Sequence, residues 1–489
     1  MSSRIAPGLR PLLVSAALLL GGCASGPVYE RPQTSIPTNW TAGTADARWP
    51  ALDWWTAFAD PTLNKLVSAA LQNNHDVGAA AERIAQARAQ ALIAGSQLYP
   101  AVSASAGLGR KNSSSDGREQ LLREPSASYD LGLTASYQLD LFGEAKALAD
   151  VAAAGVAASE FDRQSVALSV AAATVSAYLQ LSAVDERRAV LNSTLDAARK
   201  TLELVRARQH EGRASGLEVA QQRAEVARLE ATIPTLETER EQFRNVLSVL
   251  TGSAPGNFTV TAAPIDRLAV PATPAGLPST LLEHRPDVLR AELALAGANA
   301  NIRAATAASF PRIALTAEGG FASLALKQLF NPGKLLYSLA AAVTAPVFDA
   351  GRVKGQIALN EARYRELAEN YQKAVLSAFT DVDNALTAQS SSALVVNASR
   401  ARVVQASEAN RIVELQLRGG MADYLAVLEA QRALLLAREA HVLARLDQLN
   451  ASVSVYQALG GGWDRCMAAE QIDVEVDCRD QHDLPSNNH

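Results

Sequence analysis

Cys23 is the residue of this 489-residue chain best placed for covalent chemistry. It follows Leu20-Gly21-Gly22, a small-residue cleavage site of the kind that precedes a lipid-modified cysteine. Arg4 and Arg10 supply a positive leader, and Leu12 to Leu20 supply a short apolar run. That run falls short of the roughly 18 apolar residues a spanning helix needs, so residues 1–22 read as a removable export signal. Cleavage leaves Cys23 first, its thiol diacylated and its amino group acylated; several chains on one residue hold a membrane where a single chain does not. The alternative is an ordinary secretory signal with a cysteine beside it. Ala24 and Ser25 follow, without the Asp of an inner-membrane retention signal, so the expected destination is the outer membrane.

Cys466 and Cys478, twelve residues apart in a polar tail, are the other two cysteines. In an oxidising compartment they could form a structural disulfide, and the sequence leaves paired and free states both open. Six histidines are scattered, His284 reading as a helix-start residue beside Arg285-Pro286-Asp287. Gly460-Gly461-Gly462 lacks the Lys-Ser/Thr of a phosphate loop. No nucleophile–base pair or metal-ligand cluster stands out, so no enzyme activity, metal or cofactor is expected. With 45 basic and 50 acidic residues and no basic stripe, no nucleic-acid partner is expected.

The elements that carry these residues come in two copies. A shift of 208 positions sets Gly143 on Gly351, Gly212 on Gly420, Leu217 on Leu425, Val219 on Val427 and Gly252 on Gly460. A shift of 211 sets Asp76-Val77 on Asp287-Val288 and Pro100 on Pro311. Each copy reads helix, strand, strand, long helix, helix. Tyr129 to Leu141 alternates strictly, with Leu131, Leu133, Tyr137 and Leu139 on one face and Asp130, Thr134, Ser136 and Gln138 on the other. Expected strands are about 100–110, 128–141, 311–323 and 335–347. Their length and apolar-out, polar-in alternation match an outer-membrane barrel. Four strands cannot close a barrel, which takes roughly eight, so several chains must share one; a trimer gives twelve strands.

Between the strands lie long helices. No strong breaker interrupts Glu144 to Glu211, on the order of 100 Å of helix. The return helix has a 3-4 seam at Val219, Gln222, Val226, Leu229, Ile233, Leu236, Arg240, Phe243 and Leu247, with two polar interruptions. Pro234 within it should kink it. The second return helix carries two stripes, one through Leu428, Leu435, Val442 and Leu449 and one through Val427, Ala437 and Ala444, as in a ring of helices. The chain therefore divides into a signal at 1–22, an anchored extended segment at 23–60, repeats at 61–252 and 287–463 joined by a linker at 253–286, and a polar tail at 464–489.

These residues resemble the outer membrane factors of Gram-negative tripartite efflux pumps, the lipoprotein branch of the TolC-like family. The likeness lies in Cys23 with Gly26 to Pro32, Trp54-Trp55, Phe58-Ala59-Asp60-Pro61, His284 to Val288, Pro346 to Arg352 and Leu459 to Trp463. It implies a homotrimer whose twelve-stranded β-barrel continues into a periplasmic α-helical barrel. It also implies a periplasmic adaptor, an inner-membrane transporter of the resistance-nodulation-division class or of another type, and drugs or other small toxic molecules as cargo. A duct for type I protein secretion is the alternative within the class; a lipid-anchored coiled-coil scaffold without a channel is the alternative outside it.

The resemblance places adaptor contacts at the helix–helix turns, Gly212-Arg213 and Gly420-Met421, although Glu211 and Gly419 stand where the family usually has valine. It places acids of the narrowed tunnel mouth at Glu218 and Glu429, where threefold rings would favour cations. Arg418 and Asp423 would help hold the mouth closed. Each of these four is also readable as a solvated helix surface.

Overall fold

The computed structural model describes residues 27–34, 36–41, 49–111, 126–272, 278–421 and 423–461. Cys23, Cys466 and Cys478 lie outside the described residues. The first repeat runs α1 (Pro61–Asn73), α2 (His75–Ser96), β1 (Ala101–Lys111), β2 (Ser126–Leu139), α3 (Glu144–His210) and α4 (Gly216–Leu250). The second runs α5 (Pro278–His284), α6 (Pro286–Ala307), β3 (Arg312–Ser323), β4 (Leu335–Thr344), α7 (Arg352–Arg418) and α8 (Tyr424–Leu459). The duplicated mainly helical plan with a small sheet is thus present element for element.

The chain forms two compact units, with α2, α3, α6 and α7 contributing to both. The first unit holds the sheet, antiparallel in the order β1-β2-β3-β4. All four helical connections, at Ala101, Leu139, Arg312 and Thr344, leave from one end of it. Its strands end earlier than the alternation implies. β2 stops at Leu139 because the Asp140 carboxylate accepts from the backbone N–H groups of Ala145 and Lys146 and caps the N-terminus of α3. β4 stops at Thr344, two residues before Pro346, which has no N–H to give a ladder. Arg312 to Glu144 and Arg303 to Asp150 ion pairs tie β3 and α6 to α3.

The second unit is built around Trp54, Phe58, Tyr178 and Tyr456. Trp54 stacks on Tyr456 at 4.9 Å. The Tyr178 hydroxyl donates to buried Asp60 at 2.6 Å and accepts the Ala263 N–H, while the same carboxylate caps α1. His284 ends α5 rather than starting a helix: its Nδ1 is 2.9 Å from the Thr280 carbonyl oxygen one turn back, and its ring packs on Trp49. The helix α4 continues through Pro234 from Gly216 to Leu250. One stretch of α3 is apolar enough to cross a membrane, but 61% of it is buried inside the fold, which accounts for its composition.

The repeat is visible in the backbone. Gly143 and Gly351, Gly212 and Gly420, and Gly252 and Gly460 all adopt positive φ between 67° and 88°. At Gly252 a Cβ would sit 2.5 Å from the Asn73 carbonyl oxygen, and at Gly460 the same distance from that of His284. Those two partners are themselves related by the 211 shift. Both positions thus combine left-handed backbone with no room for a side chain. Gly460→Ala is expected to cost about 2 kcal/mol or more, whereas Gly78→Ala, in open space on α2, should be neutral or gain up to about 1 kcal/mol. Thermal denaturation followed by circular dichroism checks both.

Candidate functional site

Each helix–helix turn is closed by the same pair of hydrogen bonds. The Arg213 N–H donates to the Arg208 carbonyl and the Gly212 N–H to that of Gln209; Met421 donates to Gln416 and Gly420 to Leu417. This glycine-dependent C-terminal motif reverses the chain while satisfying carbonyls that a helix end leaves open. Arg213 and Met421 project there, Arg213 3.5 Å from Glu211 and Met421 79% exposed. The Arg208 guanidinium reaches the Leu417 carbonyl at 3.3 Å and so joins the two turns.

The hydrogen bonds and ion pair that Glu218, Asp423 and Glu429 make at these turns lie within their own helix ends. Glu218 forms a capping box with Ser215: its carboxylate accepts from the Ser215 N–H at 3.0 Å, and its own N–H donates to the Ser215 hydroxyl. Asp423 is the N-cap of α8, accepting from the Leu425 N–H. Glu429 is 65% exposed and 3.5 Å from Arg432. Arg418 is exposed in the last turn of α7.

The strong contacts lie just behind them. Glu225 on α4, with its side chain 4% exposed, receives Arg228 of its own helix at 2.5 Å and Arg432 of α8 at 2.8 Å. The Tyr424 hydroxyl donates to Gln222 Oε1 at 2.5 Å, and Gln222 Nε2 donates to the Ala198 carbonyl of α3. Gln431 donates to the Thr201 hydroxyl at 3.1 Å. Three residue pairs with side chains of the first hairpin thus hold the start of the second return helix. Burial alone would raise the Glu225 pKa; the hydrogen bonds from Arg228 and Arg432 more than reverse it, leaving it below the ordinary glutamate range. The Tyr424 hydroxyl is pushed up to about 12, by burial first and then by Glu225, so it remains a donor at any physiological pH. Gln222 was legible as a polar break in an apolar seam, as was Arg240, which pairs with Asp185 at 2.7 Å. Glu225 falls beside the seam and carried no such signal.

A second candidate surface is the polar face of the sheet. Register places Ser103, Ser105 and Gly107 of β1, Asp130, Thr134 and Ser136 of β2, Thr316 and Glu318 of β3, and Ser338 of β4 on one face. The opposite face carries Val102, Leu108, Leu133, Tyr337, Leu339 and Val343, all strongly exposed. Small side chains leave the polar face open, and Gly107 makes room for the Asp130 carboxylate lying over it. Arg312, on the same face, is taken by Glu144.

The family model described as outer membrane efflux protein matches residues 66–253 and 277–461. The chain is 37% identical over 460 residues to the pyoverdine export outer membrane protein OpmQ of Pseudomonas aeruginosa, covering 92% of this chain and 96% of that protein. It is 32% identical over 462 residues to the solvent efflux pump outer membrane protein SrpC of Pseudomonas putida, covering 93% and 98%. Among solved structures, the open state of the MtrE outer membrane channel of Neisseria gonorrhoeae superposes with a TM-score of 0.82 at 32% identity, over 91% of this chain and 99% of that one. The outer-membrane channel OprN gives 0.82 at 30% identity, over 90% and 100%.

The depressed carboxyl of Glu225 sets a pH window. Its contribution is complete above the ordinary glutamate value of 4.5 and is lost as pH falls through its lower folded value. Glu225→Gln should cost about 1–3 kcal/mol at pH 7, and its difference from the wild type should shrink below pH 4.5. Denaturation midpoints of both proteins from pH 7 to pH 3 check this.

Proposed function

The chain belongs to the outer membrane efflux protein family, and from that membership we propose that it is the exit channel of a tripartite pump, working as a homotrimer. It acts in the outer membrane as an efflux protein, extending into the periplasm. The trimer reading is supported above all by the sheet. Its apolar face needs lipid, and the outer edges of β1 and β4 have no partner strand among the described residues. Backbone groups in lipid must all be paired, so three copies of the four-stranded sheet closing on one another meet the requirement. The polar face then lines the pore, and the helices continue it as a tunnel.

The bonds from α8 to the first hairpin serve as the latch of the periplasmic mouth. Tyr424–Gln222, Arg432–Glu225 and Gln431–Thr201 must part for the second hairpin to swing outward. Glu218, Glu429, Asp423 and Arg418 then act as a charged fringe around the mouth, and the turns at Gly212-Arg213 and Gly420-Met421 present themselves to a periplasmic adaptor that joins an inner-membrane pump. The relatives' names cover pyoverdine, solvent, toluene and antibiotic. Cargo of such different chemistry through one kind of duct fits a passive exit, with selection made by the pump. The protein itself carries out no reaction.

A lipid anchor at Cys23 fits the reading. Arg31 is held by Glu292 on α6 and by the Tyr371 hydroxyl on α7. A stretch of eight residues, the separation of Arg31 from Cys23, can reach at most about 29 Å. The climb of α7 from Tyr371 to its start at Arg352, toward the sheet, is about 29 Å.

Two measurements in planar bilayers test the channel. Tyr424→Phe combined with Arg432→Ala should raise single-channel conductance several-fold over a mostly closed wild type, and an unchanged conductance in a correctly assembled trimer rules out the latch. Asp130→Asn with Glu318→Gln should lower the cation-to-anion permeability ratio, read from reversal potentials in a salt gradient; an unaltered ratio removes these carboxylates from the pore lining.

A further inference from the structure

The loop that joins β3 to β4 stands at the end of the sheet opposite the helices, which in an outer-membrane protein is the outward end. Its sequence, Leu324 to Lys334, contains two lysines and no carboxylate. It is a built loop. Its turns are Leu326–Gln328 and Pro332–Lys334, Leu329 is buried beneath it, the Ser323 hydroxyl accepts the Ala325 N–H, and Asn331 accepts that of Gly333. Yet it leaves three large apolar side chains in the open: Leu324, Leu326 and Phe330 are 71%, 62% and 67% exposed.

Phe330 settles which way the loop turns. It meets Phe321 edge-on at 5.7 Å. Phe321 is in register with Leu335 and with Leu131, so it belongs to the apolar, lipid-facing side of the sheet. The loop therefore folds over the membrane side of the rim and away from the pore. Exposed Leu and Phe side chains are unfavourable in water and are favoured at the level of lipid acyl chains. Lys327 and Lys334, both exposed, have no ion-pair partner among the described residues. A lysine in such a place extends its apolar stem along the chains and delivers its ammonium to the headgroup layer.

We propose that the 324–334 loop is a binding site for a phosphorylated lipid of the outer leaflet, with Leu324, Leu326 and Phe330 seated among its acyl chains and Lys327 and Lys334 engaging its phosphates. The charge complementarity favours an anionic membrane lipid over another protein, because a loop this apolar already lies against the bilayer. Three copies in the assembly would fasten the outer rim to its leaflet. The site rests on the outer-membrane reading and is independent of how the channel opens.

The test uses the delipidated full-length assembly in mild detergent, titrated with bisphosphorylated lipid A or its dephosphorylated analogue, with bound lipid counted by native mass spectrometry. The wild type should prefer the bisphosphorylated lipid. Lys327→Gln with Lys334→Gln should lose about 30-fold in affinity for it and none for the analogue, as expected for two lysines at an anionic headgroup layer. Phe330→Ser should weaken both lipids. Equal affinity of the wild type for the two lipids overturns the proposal, as does a lysine double variant that keeps the preference. A wild type that conducts in bilayers but shows no lipid preference sinks the lipid site alone; one that never conducts sinks the channel.

Discussion

A strand inside a membrane has no water to hydrogen-bond, and that constraint governs everything else in this chain. The sheet has four strands, one lipid-ready face and two unpaired edges. No contact within the chain covers those edges among the described residues, so closure must come from other copies. The long helices inherit the same geometry, since all of them leave from one end of the sheet. A ring of strands built from several chains obliges the helices that follow to form a ring as well.

Duplication supplies the parts for such a ring, and three pairs of left-handed glycines mark where each copy bends. The two copies differ at the residues of the proposed latch. Under the 208 shift Gln222 falls on Ala430, Glu225 on Ala433, Tyr424 on Gly216 and Arg432 on Ala224. Every large member of the two main bonds thus corresponds to a residue with little or no side chain in the other copy. A symmetric tunnel would need no such pairing. The mismatch lets one hairpin grip the other, and a grip of a few hydrogen bonds is weak enough to be released.

Much of this was legible in the residues. The strict alternation of Tyr129 to Leu141 announced a strand with a wet and an oily face, unbroken helix-forming sequence announced α3, and the repeat announced α7 as its counterpart. Strand ends were misjudged by two or three residues because Asp140 caps a helix and Pro346 ends a ladder, effects that override alternation. The helix turns were placed correctly by their glycines. Of their neighbouring charges, Glu218 and Asp423 also close helix ends, a local task that a short sequence window does not separate from a distant one. The residues that do hold the hairpins together, Glu225 and Arg432, lie 207 positions apart, and only three-dimensional packing reveals that they meet. Gln222 was the exception, since a polar residue in an apolar seam asks for a partner.

The most direct test of the account is the number of chains that share one barrel. Protein extracted from outer membranes in mild detergent should give a native mass of three chains, with no stable smaller species at neutral pH. A membrane-inserted monomer or dimer that retains its folded sheet would contradict the closure argument and the channel that depends on it.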